Sequence, residues 1–271
     1  MEKIKGSVNS HIQLPRLILK SFSTVEHTTN ENGFPEKHRM VYMIDMDGNI
    51  SKQDIEEVNA EKGYYEDVIE KEVLATIEGA FGETRAKILS AISKAGSGNI
   101  VKLNITEEDV SIMKKYCALC IIRSEKLVEE INKKSLFMQF YQNAPQNIVA
   151  YMYANQPELV DYIISNHNVT LIINRLKDEQ FILLQHGLIV YSHKDDKKLE
   201  IMMPIAPNVA ILFTNEEVKI GNKLTILEVS AKHVSEFNRL AIRFEKLYNK
   251  KAVYAKRKCD LEKYKEFIKY A

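Results

Sequence analysis

Glu78 and Arg85 are charged residues set where an apolar stripe should run. Ile69, Val73, Ile77, Phe81, Ile88 and Ile92 recur at close to the helical period, which predicts a helix over residues 66–93. At about 100° per residue, Leu74, Phe81, Ile88 and Ile92 fall on one face, and Glu78 and Arg85 lie inside the same arc. A carboxylate turned toward a core costs on the order of several kcal/mol unless it is paired or protonated. Two roles are open for Glu78. It can bridge, with Arg85, to neighbouring helices, or it can serve as a buried acid or base with a tuned pKa.

Arg123 follows Cys117-Ala118-Leu119-Cys120-Ile121-Ile122, a run apolar on all sides and therefore expected to be buried. An arginine is always charged, so in that setting it needs an anion. The anion is either Glu78 or a ligand phosphate or carboxylate gripped in bidentate fashion. Two opposite charges that must be buried are cheapest when buried together. The sequence thus predicts Glu78 and Arg123 within salt-bridge reach, with His11 or Tyr65 in the same polar cluster. His11 lies four residues before Pro15, which suits the first turn of a short helix ending at Phe22. Near that helix's positive end a histidine is kept neutral and can act as base or donor; alternatively it anchors the backbone. Tyr65 reads as a core aromatic whose hydroxyl needs a partner.

The elements that must position these residues come in blocks. Residues 24–37 are polar, with Gly33 and Pro35, and read as a loop. Residues 39–46 alternate as a strand, and Asp47-Gly48 is a turn signal before a return over 50–59. Thr106 is the expected N-cap of a helix running to about residue 132, with Asp109 as its capping-box acid. Shorter helices are predicted over 135–165. From Val169 the pattern changes to strands at 169–175, 181–184, 188–192, 200–203, 209–213 and 225–229. Short connections between them favour an antiparallel meander. A helix from Ser230 or Ala231 to about 249, a short strand at Val253-Tyr254 and a charged terminal helix follow. The fold class is α+β: a helical middle packed against a mostly antiparallel sheet from the C-terminal half. A single domain is expected over 1–271, divided into an N-terminal segment (1–65), a helical part (66–165), a sheet-rich part (166–229) and C-terminal helices (230–271).

Lys plus Arg (38) nearly cancels Asp plus Glu (37), for a net charge of +1. That balance does not support a dedicated nucleic-acid binder. Lys250-Lys251 and Lys256-Arg257-Lys258 are followed by Asp260, Glu262 and Glu266 and read as a solvated mixed-charge surface. No apolar run approaches the roughly 18 residues of a membrane span, and the amino terminus lacks a secretory signal's apolar core; the reading is cytoplasmic, with no membrane partner. Cys117 and Cys120 form a C-x-x-C inside an apolar helix, without further zinc ligands at metal spacing, and read as small buried hydrophobes. His186 on a hairpin turn and His193 beside a charged loop read as exposed. Phosphate-loop, dinucleotide-binding and nucleophile-elbow motifs are absent from the sequence. No metal site, no cofactor and no oligomeric state is read from it.

Several segments together resemble domain-of-unknown-function family 4238. His11 to Phe22 is similar to its His-x-x-Pro-x-x-Leu-x-x-Phe signature, with one residue more between His11 and Pro15. Arg39–Asp47 resembles its early strand, Ala60–Tyr65 its segment ending in tyrosine, and Leu74–Glu78 its helix with a glutamate. Ile121-Ile122-Arg123-Ser124 corresponds to its helical arginine, and Phe181–Ile189 and Met202–Phe213 resemble its strand pair around a Pro-Leu-x-Pro element, here Pro204-Ile205-Ala206-Pro207. Gln185-His186-Gly187 stands where the family has an Asp-Asn-Pro turn, so that aspartate's role does not carry over. The resemblance implies Asn238 of the late helix as a further site residue. The set of His, Tyr, Glu, Arg and Asn suggests an enzyme acting on a phosphate-containing substrate, such as a metal-independent nuclease or phosphodiesterase. His11 and Glu78 are then the catalytic acid/base candidates, and Tyr65, Arg123 and Asn238 bind substrate. The alternative is a non-enzymatic domain that senses an anionic ligand or binds another protein, with a structural polar core.

Overall fold

The computed structural model describes residues 9–11, 14–58, 60–62, 69–95, 103–123, 164, 166–176, 178–192, 199–214, 224–248 and 252–270. The elements run β1 (Asn9–His11), α1 (Arg16–Leu19), a 3-10 turn (Lys20–Phe22), β2 (Thr24–Thr29), β3 (Pro35–Asp45), β4 (Ile50–Asp54) and β5 (Ala60–Lys62). A π-helical turn (Ile69–Leu74) leads into α2 (Ala75–Ala95), followed by α3 (Glu107–Ile122). Then come β6 (Asn168–Ile173), β7 (Leu183–Leu184), β8 (Ile189–Ser192), β9 (Leu199–Ala206), β10 (Val209–Thr214) and β11 (Leu224–Glu228). Helix α4 (Ala231–Tyr248), β12 (Ala252–Ala255), α5 (Lys258–Glu262) and α6 (Lys265–Tyr270) close the chain. The fold is α+β, with mostly antiparallel sheets, as the order of patterns predicts.

The described strands form two five-stranded sheets and a two-stranded sheet of β1 and β5. One, in the order β11-β6-β10-β9-β8, comes from the C-terminal half. It is antiparallel apart from β11, which runs parallel to β6. Its central strands are buried at nearly every position rather than at alternate ones, so both faces are covered. The other sheet, β2-β3-β12-β7 with β4 also on β3, joins the early strands to two late ones. The strands at 181–184 and 188–192 therefore do not share a sheet: β7 pairs with β12 and β8 with β9. The turn Gln185-His186-Gly187 carries the chain across. Gly187 takes a φ of +75°, and the Leu14 side chain sits 3.1 Å from where a Cβ would be. His186 is buried, at 2 % exposure, which corrects the expectation of a solvent-exposed turn histidine.

Residues 24–29 and 35–37 are also not loop. They belong to a β2–β3 hairpin with Thr24 opposite Met40 and Thr29 opposite Pro35. Its outer half is exposed on both faces, so no apolar alternation marks it in the sequence. The Asn30 carboxamide oxygen shapes the tip by accepting from the Asn32 and Phe34 amides.

Helices α2 and α3 form the described part of the helical middle. Phe81 stacks on Tyr116 with ring centroids 3.8 Å apart, an arrangement worth about 0.5–1.5 kcal/mol beyond burial. Thr106 and Asp109 form the predicted capping box at the start of α3. Asp109 also accepts from Thr84 and Lys87 on α2, both at 2.8 Å. Burial pushes its carboxyl up, but the bonds from Lys87, Thr106 and Thr84 outweigh it and hold the pKa at about 2. Arg85 ties α2 to the C-terminal sheet, since its Nε donates to the Ile205 carbonyl at 3.0 Å. Its bridge therefore goes to a strand, not to another helix. Buried residues from both sheets and from α2, α3 and α4 form one continuous apolar cluster. The helices expected over 124–163 lie outside the described residues.

Candidate functional site

Glu78 and Arg123 meet as predicted, with Arg123 Nη1 2.7 Å from Glu78 Oε1. The two ends of the pair differ in burial. The Arg123 side chain is 2 % exposed and that of Glu78 is 25 % exposed. Arg123 caps the C-terminal end of α3, where the helix carbonyls favour a cation. Cys120 and Tyr116 lie on the same stretch of α3, and burial pushes the Cys120 thiol up to about 12, with Arg123 pulling the other way. Both C-x-x-C thiols are buried and free.

Of the other sequence-predicted site residues, Asn238 has a described side chain, and it does not join this pair. The backbone of His11 pairs with Ala60 in the β1–β5 ladder, but its side chain lies outside the described residues, as does Tyr65. Asn238 is 1 % exposed and belongs to a different network. Its Oδ1 accepts from the Ile182 amide at 3.1 Å, and its Nδ2 donates to the Gln180 carbonyl at 2.8 Å. Tyr264, which donates to Glu179 at 2.5 Å, and Lys263, 2.8 Å from the same carboxylate, complete that network. Asn238 thus fastens α4 and α5 to the strand entering β7.

A second arrangement was not singled out from the sequence. A groove of about 1180 Å³ is lined by five cationic side chains: Lys20, Arg39, Arg85, Arg175 and Lys256. Among the described residues no carboxylate, histidine or aromatic side chain lines it.

Sheet register explains the convergence. Strands β2 and β12 lie end to end along one edge of β3, with Thr24 opposite Met40 and Ala255 opposite Tyr42. The chain enters β2 and leaves β12 at that junction, so Lys256 comes beside the Lys20–Thr24 segment. Arg39 lies on β3 opposite Val25. The other wall is the second half of α2, held by Arg85 against Ile205, and the β9–β10 turn Pro207-Asn208. The Asn174 amide donates to the Asn208 carbonyl at 2.9 Å, which sets Arg175 next to that turn.

The groove's charge is poorly compensated. Arg175 pairs with Glu228 at 2.6 Å. Lys20, Arg39, Arg85 and Lys256 have no carboxylate within salt-bridge distance among the described residues. Burial lowers the pKa of Lys20, and the positive charges of Arg16 and Arg39 lower it further. Burial likewise lowers that of Arg85. The Ser21 hydroxyl at this groove is buried without a hydrogen-bond partner. By contrast, Arg257 and Lys258 are paired with Asp260 and Glu262 at 2.5 Å and 3.3 Å, and Asp260 is buried rather than solvated as expected. Lys256 alone of that run turns into the groove.

Among the described residues no helix is long and apolar enough to cross a membrane. No group of three or more His, Cys, Asp or Glu there could hold a metal ion. No curated protein matches the chain, and no solved structure matches it. The profile of one family does match, over residues 13–258, and it takes in α1, both sheets, the Glu78–Arg123 pair and all five groove cations. The chain belongs to the family described as "Protein of unknown function (DUF4238)".

Proposed function

We propose that the protein binds a phosphate-containing ligand in the basic groove. The observation that carries this reading is the convergence of five cations from separate elements, four of them without a carboxylate partner among the described residues, in a chain of net charge +1. Random placement on a near-neutral surface intersperses the two signs; a one-sign groove with low-dielectric walls concentrates anions. The guanidinium groups offer planar donor forks suited to phosphate oxygens.

Binding is favoured over hydrolysis because the groove's described lining carries arginine, lysine and hydroxyl groups but no acid/base pair. The enzyme reading keeps one support. Glu78 lies on the same face of α2 as Arg85, two turns away, roughly 10 Å by helical rise. Isothermal titration of the whole chain with inorganic pyrophosphate at low ionic strength tests the proposal. Saturable binding to the wild type is expected, with loss in the Lys20→Glu/Lys256→Glu double variant while far-UV circular dichroism is unchanged. Equal binding by both proteins would move the site elsewhere, and no binding would overturn the reading. Phosphate release from pyrophosphate or from bis(p-nitrophenyl) phosphate, lost in Glu78→Gln, would make the protein a hydrolase.

A further inference from the structure

We infer that the groove recognises a linear oligophosphate chain, such as a triphosphate, through its phosphates alone. This rests on the groove being an anion site and goes on to name the ligand's chemistry.

Charge count is the first argument. Lys20, Arg39, Arg85 and Lys256 contribute four uncompensated positive charges. A single phosphate monoester carries about −1.5 to −2 at neutral pH and would leave half of them unanswered. A one-sign cleft attracts an anion more strongly the more charge that anion carries, so the matching ligand is one with roughly four negative charges. A triphosphate chain meets that count. Size agrees, because at about 1180 Å³ the groove is far larger than one phosphate needs.

The nature of the lining is the second argument. Proteins that read nucleobases or bind single strands stack them on aromatic rings. The described lining has no aromatic side chain; its uncharged part is Ser, Thr, Asn, Pro and small aliphatic groups. Such a surface has donors for phosphate oxygens and no platform for a base. The spread of the cations is the third. Lys20 and Arg39 are close enough for each to repel the other's charge, whereas Arg85 is anchored on the opposite wall at Ile205. A chain of linked phosphates can address both walls at once, and a lone phosphate cannot.

The experiment is calorimetric titration of the full chain with orthophosphate, pyrophosphate, tripolyphosphate, AMP, ATP, adenosine and a short oligodeoxythymidylate. Affinity is expected to rise about tenfold per added phosphate, equivalent to about 1.4 kcal/mol per step. Tripolyphosphate and ATP should agree within about threefold, and adenosine should not bind. Lys20→Gln and Lys256→Gln should each weaken tripolyphosphate about tenfold. Equal affinity for orthophosphate and tripolyphosphate would overturn the oligophosphate assignment while leaving the anion site standing. ATP binding more than tenfold tighter than tripolyphosphate would replace it with a base-reading nucleotide site. Far tighter binding of the oligonucleotide would replace it with a nucleic-acid groove. No binding by any probe would overturn both this inference and the anion site beneath it.

Discussion

Replacing each member of the Glu78–Arg123 pair should have unequal consequences, because the two ends differ in burial. In Glu78→Gln the guanidinium, 2 % exposed, keeps its charge and loses its carboxylate. Removing one partner of a buried pair costs about 3–5 kcal/mol, and the neutral amide can still accept one hydrogen bond, which places this variant near 3 kcal/mol. In Arg123→Met the apolar stem is retained, and the remaining carboxylate, 25 % exposed, can take up water. That variant should cost about 1–2 kcal/mol, nearer a lost charged hydrogen bond than a stranded charge. The double variant has no orphaned charge and should cost about as much as Arg123→Met alone, giving a coupling of about 3 kcal/mol. Urea unfolding followed by circular dichroism measures all four corners of the cycle, with equal m-values as the control. Additive costs, or a larger loss in Arg123→Met than in Glu78→Gln, would refute the argument from burial. If both single variants kept full stability and lost ligand binding or turnover, the pair would be a functional site.

Three further outcomes follow from the described networks. Asp109 has a folded pKa of about 2, below its unfolded value, so its contribution of roughly 2 kcal/mol is present above pH 4 and is lost as the pH falls toward 2. Asp109→Asn should be less stable by that amount at pH 7, with the difference closing below pH 4; a difference independent of pH would contradict the assigned bonds. Asn238→Leu removes the acceptor of the Ile182 amide and the donor to the Gln180 carbonyl, and should cost about 2–4 kcal/mol in urea unfolding; a change under about 0.5 kcal/mol would mean those groups find other partners. In thiol titration with an aromatic disulfide at pH 8, exposed Cys259 should react at once, while Cys117 and Cys120 should need denaturant. Prompt reaction of all three would show that α3 is not packed as described.

Local signals in the sequence determined local structure and one contact. The period of α2, the Thr106–Asp109 capping box and the strands from Val169 onward are encoded by residues a few positions apart, and hydrophobic burial or backbone capping then acts on them directly. The Glu78–Arg123 pair, 45 residues apart, was legible too, because a charge on an apolar helix face has few affordable solutions. The family resemblance pointed to Asn238, but only packing assigned it to the network that holds α4 near β7. Tertiary structure alone decided the rest. The outer half of the β2–β3 hairpin is exposed on both faces and has no apolar alternation to reveal it, and the burial of His186 comes from packing across the fold rather than from its turn. The parallel partner of β6 and the separation of β7 from β8 depend on pairings across the fold that no short window contains. The basic groove is the extreme case. Of its five cations only Arg85 stands out in the sequence, and the register of β2 and β12 on one edge of β3 brings it together with Lys20, Arg39, Arg175 and Lys256 in a single field.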